Sequence, residues 1–212
     1  MLSLGIDVGV RKGCHLVLMN DRLQVAESHK STQPSEVATI CSARGPDIVA
    51  VDSPPAWALA DEGRQADRQL QKRNIQLYRT PSVADRQRQQ NPFFDWMRVG
   101  FAVFEKLAEA NYARYREGNP RHTAIEVFPY ASAVFLEGFF RPKDTSKVRW
   151  RREILERAGV KIEMLKNADL VDAALAALTG IHALRGNYFG FGDPDEGVIV
   201  VPVKNAAMVE LK

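Results

Sequence analysis

Four short stretches place acids where chemistry can use them. "LGIDVG" sets Asp7 after an apolar run, "VAVDSP" sets Asp52 after a second, and "AIEVFP" sets Glu126 after a third. "NADLVDAALAALTG" adds Asp169 and Asp172, three residues apart and therefore on one face of a helix. In an open α/β sheet, groups at the carboxyl ends of neighbouring parallel strands share one crevice. Carboxylates within about 5–6 Å of one another raise each other's pKa and cannot all ionise unaided. A hard divalent cation with oxygen ligands, Mg²⁺ or Mn²⁺, relieves that repulsion. Two such ions ~3.5–4 Å apart stabilise the attacking and the leaving oxygen of a cleaved phosphodiester. The expected metal ligands are Asp7, Asp52, Asp169 and Asp172. The expected catalytic acids are Asp7, Asp52, Glu126 and Asp172. Each acid also has a plainer role open to it. Asp7 suits a turn, Asp52 a helix cap, Glu126 an arginine partner, and Asp169 the first turn of a helix, where the dipole favours it. The joint pattern favours a shared site.

The elements that must position these acids are legible in outline. Residues 2–8, 14–19 and 22–28 read as strands, with "ND" at 20–21 as a hairpin turn. Helical spacing follows over 35–44, with Thr32 or Ser35 as cap and Gly45-Pro46 as stop. Ile48–Asp52 reads as a buried strand that Pro54 and Pro55 must end. Residues 54–120 differ in texture, being rich in Arg, Gln and aromatics, and read as a mostly helical insertion with helices near 61–74 and 95–117. Trp96, Val99, Phe101, Val103, Phe104 and Leu107 form the expected buried face of the second. Residues 123–129 return to strand character. Helices are expected over 144–158, basic and amphipathic, and over 168–184, Ala-rich. Residues 186–197 read as loop, and 198–203 as a last strand, placed at an edge by Pro202. The whole chain, 1–212, reads as one domain.

Charge is unevenly spread. The formal net charge is +3. Residues 64–88 hold seven Lys/Arg against Asp67 and Asp85, and residues 139–157 hold seven against Asp144, Glu153 and Glu156. Such basic tracts suit a nucleic-acid partner, DNA or RNA, as well as solvated helix faces. Candidate phosphate contacts are Arg64, Arg68, Lys143, Lys147, Arg149 and Arg152, with Tyr78 and Trp150 as candidate stacking rings. Arg64 and Arg68, one turn apart beside Asp67, equally suit a structural ion pair. Cys14 and Cys41 are too few for a disulfide framework or a four-cysteine zinc site. His15, His29, His122 and His182 lack zinc spacing and are expected to be structural. There is no P-loop, no G-x-G-x-x-G and no nucleophile elbow. Neither a signal peptide nor a membrane-length apolar run is present, so the cytoplasm is the expected setting.

"LGIDVGVRKG" resembles the opening of Holliday-junction resolvases, and "NADLVDAALAAL" their closing helix, where an aspartate pair at this spacing supplies metal ligands. Their superfamily, ribonuclease-H-like, carries acids on its first strand, fourth strand and final helix, and Asp7, Asp52 and Asp172 match in that order. The set "GID", "VDSP", "R-x-x-D-R" at 64–68, "EVFPYAS" at 126–132, "DAALAAL" at 172–178 and "GDPDEGVIVVP" at 192–202 is similar to the pattern of the domain of unknown function 429 family. Members of that family are regarded as ribonuclease-H-like nucleases. The resemblance implies an α/β fold with a mixed five-stranded sheet flanked by helices. The 54–120 insertion would lie between strands four and five. It implies a hydrolase that cuts DNA or RNA with Mg²⁺ or Mn²⁺ held by carboxylates. Two features depart from resolvases: the Arg-rich insertion, and Glu126. Two other classes remain open. One is a non-catalytic module that binds nucleic acid or protein. The other is an ATP-binding phosphotransferase-like protein, since "GIDVGVRKG" also resembles the phosphate hairpin of sugar kinases and actin-like ATPases; those pair two such domains, and 212 residues supply one.

Overall fold

The apolar run that carries Asp7 is paired on both sides. In the computed structural model, which describes residues 1–203, β1 (Leu2–Asp7) runs antiparallel to β2 (Cys14–Asn20) and parallel to β4 (Ile48–Asp52). β3 (Val25–Thr32) extends the meander beyond β2, and α1 (Pro34–Arg44) crosses back into β4. On the other side of β4 lie β6 (Thr123–Val127), then β8 (Gly197–Pro202), both parallel, then the antiparallel β7 (Tyr188–Asp193). A two-residue strand, β5 (Ala113–Arg114), also pairs with β6. The sheet thus has eight strands rather than five, in the order β3-β2-β1-β4-β6-β8-β7 with β5 beside this path.

The extra strands have identifiable causes. The stretch expected to be loop at 186–197 contains β7, whose alternating Phe189 and Phe191 are interrupted by Gly190 and Gly192. Those glycines mask the strand signal, yet Phe191 is buried against Phe135. β8 is interior, not an edge. Its pairing with β6 reaches only Val200, so Pro202 stands past that ladder, where a missing N–H costs nothing. The third strand begins at Val25 rather than 22 because the turn uses Leu23 at positive φ. α1 starts at Pro34, with Gln33 as its cap rather than Thr32 or Ser35. Proline is pre-set for the first helical position, and the Glu36 carboxylate accepts from the Gln33 N–H at 2.6 Å. Gly45, left-handed at φ 56°, closes it.

Between β4 and β6 the chain forms α2 (Gln65–Gln71), α3 (Arg86–Gln89), a 3₁₀ turn (Pro92–Phe94) and α4 (Asp95–Glu109), joined by extended segments. α4 stops eight residues short of 117. Asn111 takes φ 67°, and the next residues become β5 because β6 offers them a ladder. Its buried residues are Met97, Gly100, Val103, Phe104 and Leu107, whereas Trp96, Val99 and Phe101 are only half-buried. After β6 come α5 (Pro129–Glu137), α6 (Lys147–Arg157) and α7 (Ala168–Leu184). Ser146 caps α6 by accepting from Arg149 N, and Asn167 caps α7 by accepting from Leu170 N at 2.8 Å.

The sheet separates two apolar layers. α1 and α4 cover Leu4, Ile6, Val49, Val51 and Ala124 on one face. α7, flanked by α5 and α6, covers the other. Leu170, Val171, Leu175, Leu178 and Ile181 of α7 are fully buried, each contributing about 1.5–3 kcal/mol. The backbone of α7 sits directly on β1. A Cβ built on Gly5 would fall on the Ala173 carbonyl oxygen and the Ala177 nitrogen, so only glycine fits there. Among the described residues no helix is long and apolar enough to cross a membrane. Cys14 and Cys41 are buried free thiols.

Candidate metal centre and adjoining cavity

Strand register decides which acids meet. Asp7 is the parallel partner of Asp52 and the antiparallel partner of His15, so all three side chains leave the same face of the sheet. That face is the one α7 covers. Gly5, two residues before Asp7, seats Ala173 and Ala177, which brings Asp169 and Asp172 over the ends of β1 and β4. Asp7, Asp52, Asp169, Asp172, His15, Lys12 and Lys147 line one open cavity of about 400 Å³.

Glu126 does not join them. Its parallel partner is Val51, not Asp52. This one-residue offset turns Glu126 to the opposite face. There it is buried and accepts both arms of Arg64, at 2.6 and 2.7 Å. Arg64 also donates to Asp67 at 2.8 Å and to the Thr80 hydroxyl at 3.1 Å, and Thr80 N donates to Asp67 at 2.9 Å. Every donor-bearing nitrogen of the Arg64 guanidinium is therefore engaged. At 1% exposure Arg64 is buried within this network. Removing one member of such a buried pair typically costs about 3–5 kcal/mol.

The four clustered acids are unequally balanced. Asp172 accepts from Arg151 and lies 3.9 Å from Lys147. Asp169 lies 3.4 Å from Lys12 and 3.8 Å from His15 Nε2. Asp7 and Asp52 have no ion-pair partner among the described residues. Burial, then Asp52, Asp172 and Asp169, pushes the Asp7 carboxyl up to about 9. Burial, then Asp172, pushes Asp52 up to about 8, with Arg151 and Lys147 opposing. Burial lowers the pKa of His15 despite the pull of Asp169, a shift toward the neutral imidazole that metals bind. Asp7, His15 and Asp169 each bring a ligand atom, all within 4.8 Å of one another. His15 was expected to be structural. Its signal in the sequence is its place across the first hairpin from Asp7, visible only once the register is known.

The other candidate contacts disperse. Lys143 and Lys147 are exposed, Lys147 at the cavity rim. Arg149 is exposed and paired with Glu153 at 2.8 Å. Arg152 donates to the Leu165 carbonyl at 2.7 Å, and Arg68 to the Gly63 carbonyl. Trp150 is a core residue, 2% exposed, not a stacking platform. Tyr78 is 65% exposed and stands edge-on to Phe93 at 4.6 Å.

Comparison with known proteins agrees with this architecture. The chain is similar to Thermus thermophilus RuvC in complex with Holliday junction substrate, at 18% identity and TM-score 0.50, over 88% of this chain and 94% of that one. It is also similar to the Thermus thermophilus RuvC structure, at 19% identity and TM-score 0.46, over 88% and 95%. At these identities the first likeness is one of fold, the ribonuclease-H-like α/β architecture, and its sheet is here enlarged to eight strands. No curated protein matches the sequence. The family profile described as "Protein of unknown function (DUF429)" matches residues 5–197, and the chain belongs to that family.

Proposed function

We propose that this protein is a metal-dependent nuclease that hydrolyses phosphodiester bonds of DNA or RNA at the acidic cavity. The observation that carries this reading is the convergence of acids from β1, β4 and α7, with Asp7 and Asp52 left without an ion-pair partner among the described residues. The donor set fits a hard divalent ion such as Mg²⁺ or Mn²⁺: carboxylate oxygens, plus one neutral imidazole. Asp7, His15 and Asp169 would hold it, with Asp52 and Asp172 lining the same cavity. When bound there, it would supply Lewis-acid stabilisation of charge on the phosphate and a more acidic bound water. Lys147, exposed at the rim, meets phosphate oxygens as a point charge. Arg151 orients Asp172 from beneath. Glu126, held by Arg64, positions the segment around α2. The RuvC fold in complex with a Holliday junction substrate supports a nucleic-acid ligand for this cavity.

One observation favours a second reading, a binding module without turnover: Asp172 is already neutralised by Arg151 and Lys147. Cleavage assays separate the two. Purified protein is incubated with single-stranded, duplex and branched DNA and RNA in Mg²⁺, Mn²⁺ or chelator. Metal-dependent cutting is expected, lost in Asp7→Asn while that variant melts no lower than wild type. Binding without cutting of any substrate under either metal would establish the module instead.

A further inference from the structure

A second cavity is larger than the acidic one. It measures about 520 Å³ and adjoins the acidic cavity, with which it shares Val8, Asp52 and Lys147. Its walls come from different parts of the chain. Tyr78, Phe93 and Trp96 belong to the segment between β4 and β6, and Phe128 and Tyr130 belong to the turn from β6 into α5. Each wall is an edge-to-face aromatic pair: Tyr78–Phe93 at 4.6 Å and Phe128–Tyr130 at 6.0 Å between centroids. Lys147 stands where the two cavities meet; Arg141 and Arg151 also line this one, Arg151 paired with Asp172 and Arg141 donating to the Thr145 carbonyl. Arg64 and Glu126 also line it but neutralise each other. Arg151 is 3% exposed, and its Nε is buried with no acceptor among the described residues.

An aromatic chamber with a cationic mouth matches one chemistry, an aromatic base carrying a phosphate. The volume lies within the ~300–1,000 Å³ of small-ligand sites and admits one such unit. A base inside a duplex cannot reach it, because pairing and stacking hold the base away from any side pocket. We propose that this cavity takes a single unpaired nucleotide, its base between the Tyr78–Phe93 and Phe128–Tyr130 walls and its phosphate at Lys147, on the edge of the acidic cavity. The segment 54–120 then has a function: it builds one wall of a site for unpaired bases. This inference rests on the acidic cavity being where a phosphodiester lies.

Binding without turnover tests it. A short fluorescent single strand and a blunt duplex of the same sequence are titrated in chelator, with anisotropy as readout. The proteins are wild type, Tyr78→Ala, Phe93→Ala, and Phe139→Ala as an exposed aromatic outside the cavity. Wild type is expected to prefer the single strand. Tyr78→Ala and Phe93→Ala are each expected to weaken single-strand binding about tenfold, leaving duplex binding and melting temperature unchanged. Phe139→Ala is expected to match wild type. Displacement by a nucleoside 5′-monophosphate at similar concentration identifies a free nucleotide as occupant. Displacement by oligonucleotide alone identifies a strand. Unchanged single-strand affinity in both cavity variants would overturn the inference. That failure would leave the acidic-cavity reading standing, since no metal or cleavage enters the assay. Absence of cleavage with this binding intact would do the reverse.

Discussion

Asp7 and Asp52 hold protons in the folded chain, at pKa values of about 9 and 8, that they release near pH 4 when unfolded. Proton binding is then greater in the folded state between those limits, so stability falls as pH rises. The contribution is fully present below about pH 4 and lost as pH passes through about 8 to 9. Asp7→Asn removes the larger share. In chelator, the variant's advantage in melting temperature over wild type is expected to grow steadily from pH 5 to pH 9. A constant difference across that range would show that Asp7 sits in no such cluster. At this scale the sequence was partly legible. Asp7, Asp52, Asp169 and Asp172 were found because each follows or opens an apolar element. Glu126 shared that signature and still turned to the other face, because Val51 rather than Asp52 is its partner. Register depends on how strands assemble, and no local pattern around Glu126 contains it. The nearness of His15 to Asp7 is absent from local pattern for the same reason.

α7 aligns the site by lying on β1 with no side chain between them. Gly5 is the point of contact, and its replacement must lift the helix. Gly5→Ala is expected to destabilise the protein by about 1–3 kcal/mol or more in urea unfolding, as overpacking does. It is also expected to weaken Mn²⁺ binding, because Asp169 and Asp172 ride on the displaced helix. A variant with wild-type stability and metal affinity would show that the close packing is not what aligns the acids. α7 itself was readable from end to end, 168–184, because an Asn cap, small residues and spaced leucines agree. β7 was not, since Gly190 and Gly192 imitate a loop. α4 ended early because Ala113 and Arg114 pair with β6, a tertiary preference that overrides helical spacing.

At the scale of the molecule, charge and shape divide the work. The acidic cavity, the aromatic cavity and the exposed Lys147 lie along the carboxyl ends of the parallel strands, where α/β sheets bind ligands. Lys147→Ala is expected to weaken nucleic-acid binding evenly across sequences and to lower the slope of log affinity against log salt by about 0.7–0.9. An unchanged slope would remove Lys147 from the phosphate track. Arg64, Arg149 and Arg152 are engaged within the protein, which only the packed structure reveals.

The claim on which all of this turns is that acids from β1, β4 and α7 jointly hold a divalent cation, and thermal unfolding with and without Mn²⁺ tests it most directly. At 100 times its dissociation constant, one bound ion adds about 2.7 kcal/mol. For a chain of this size that is a rise of about 5–10 °C in melting temperature. Wild type is expected to show that rise, and Asp7→Asn and Asp52→Asn to lose it. An unchanged melting curve for wild type at saturating Mn²⁺, or an equal rise in both variants, would contradict the account.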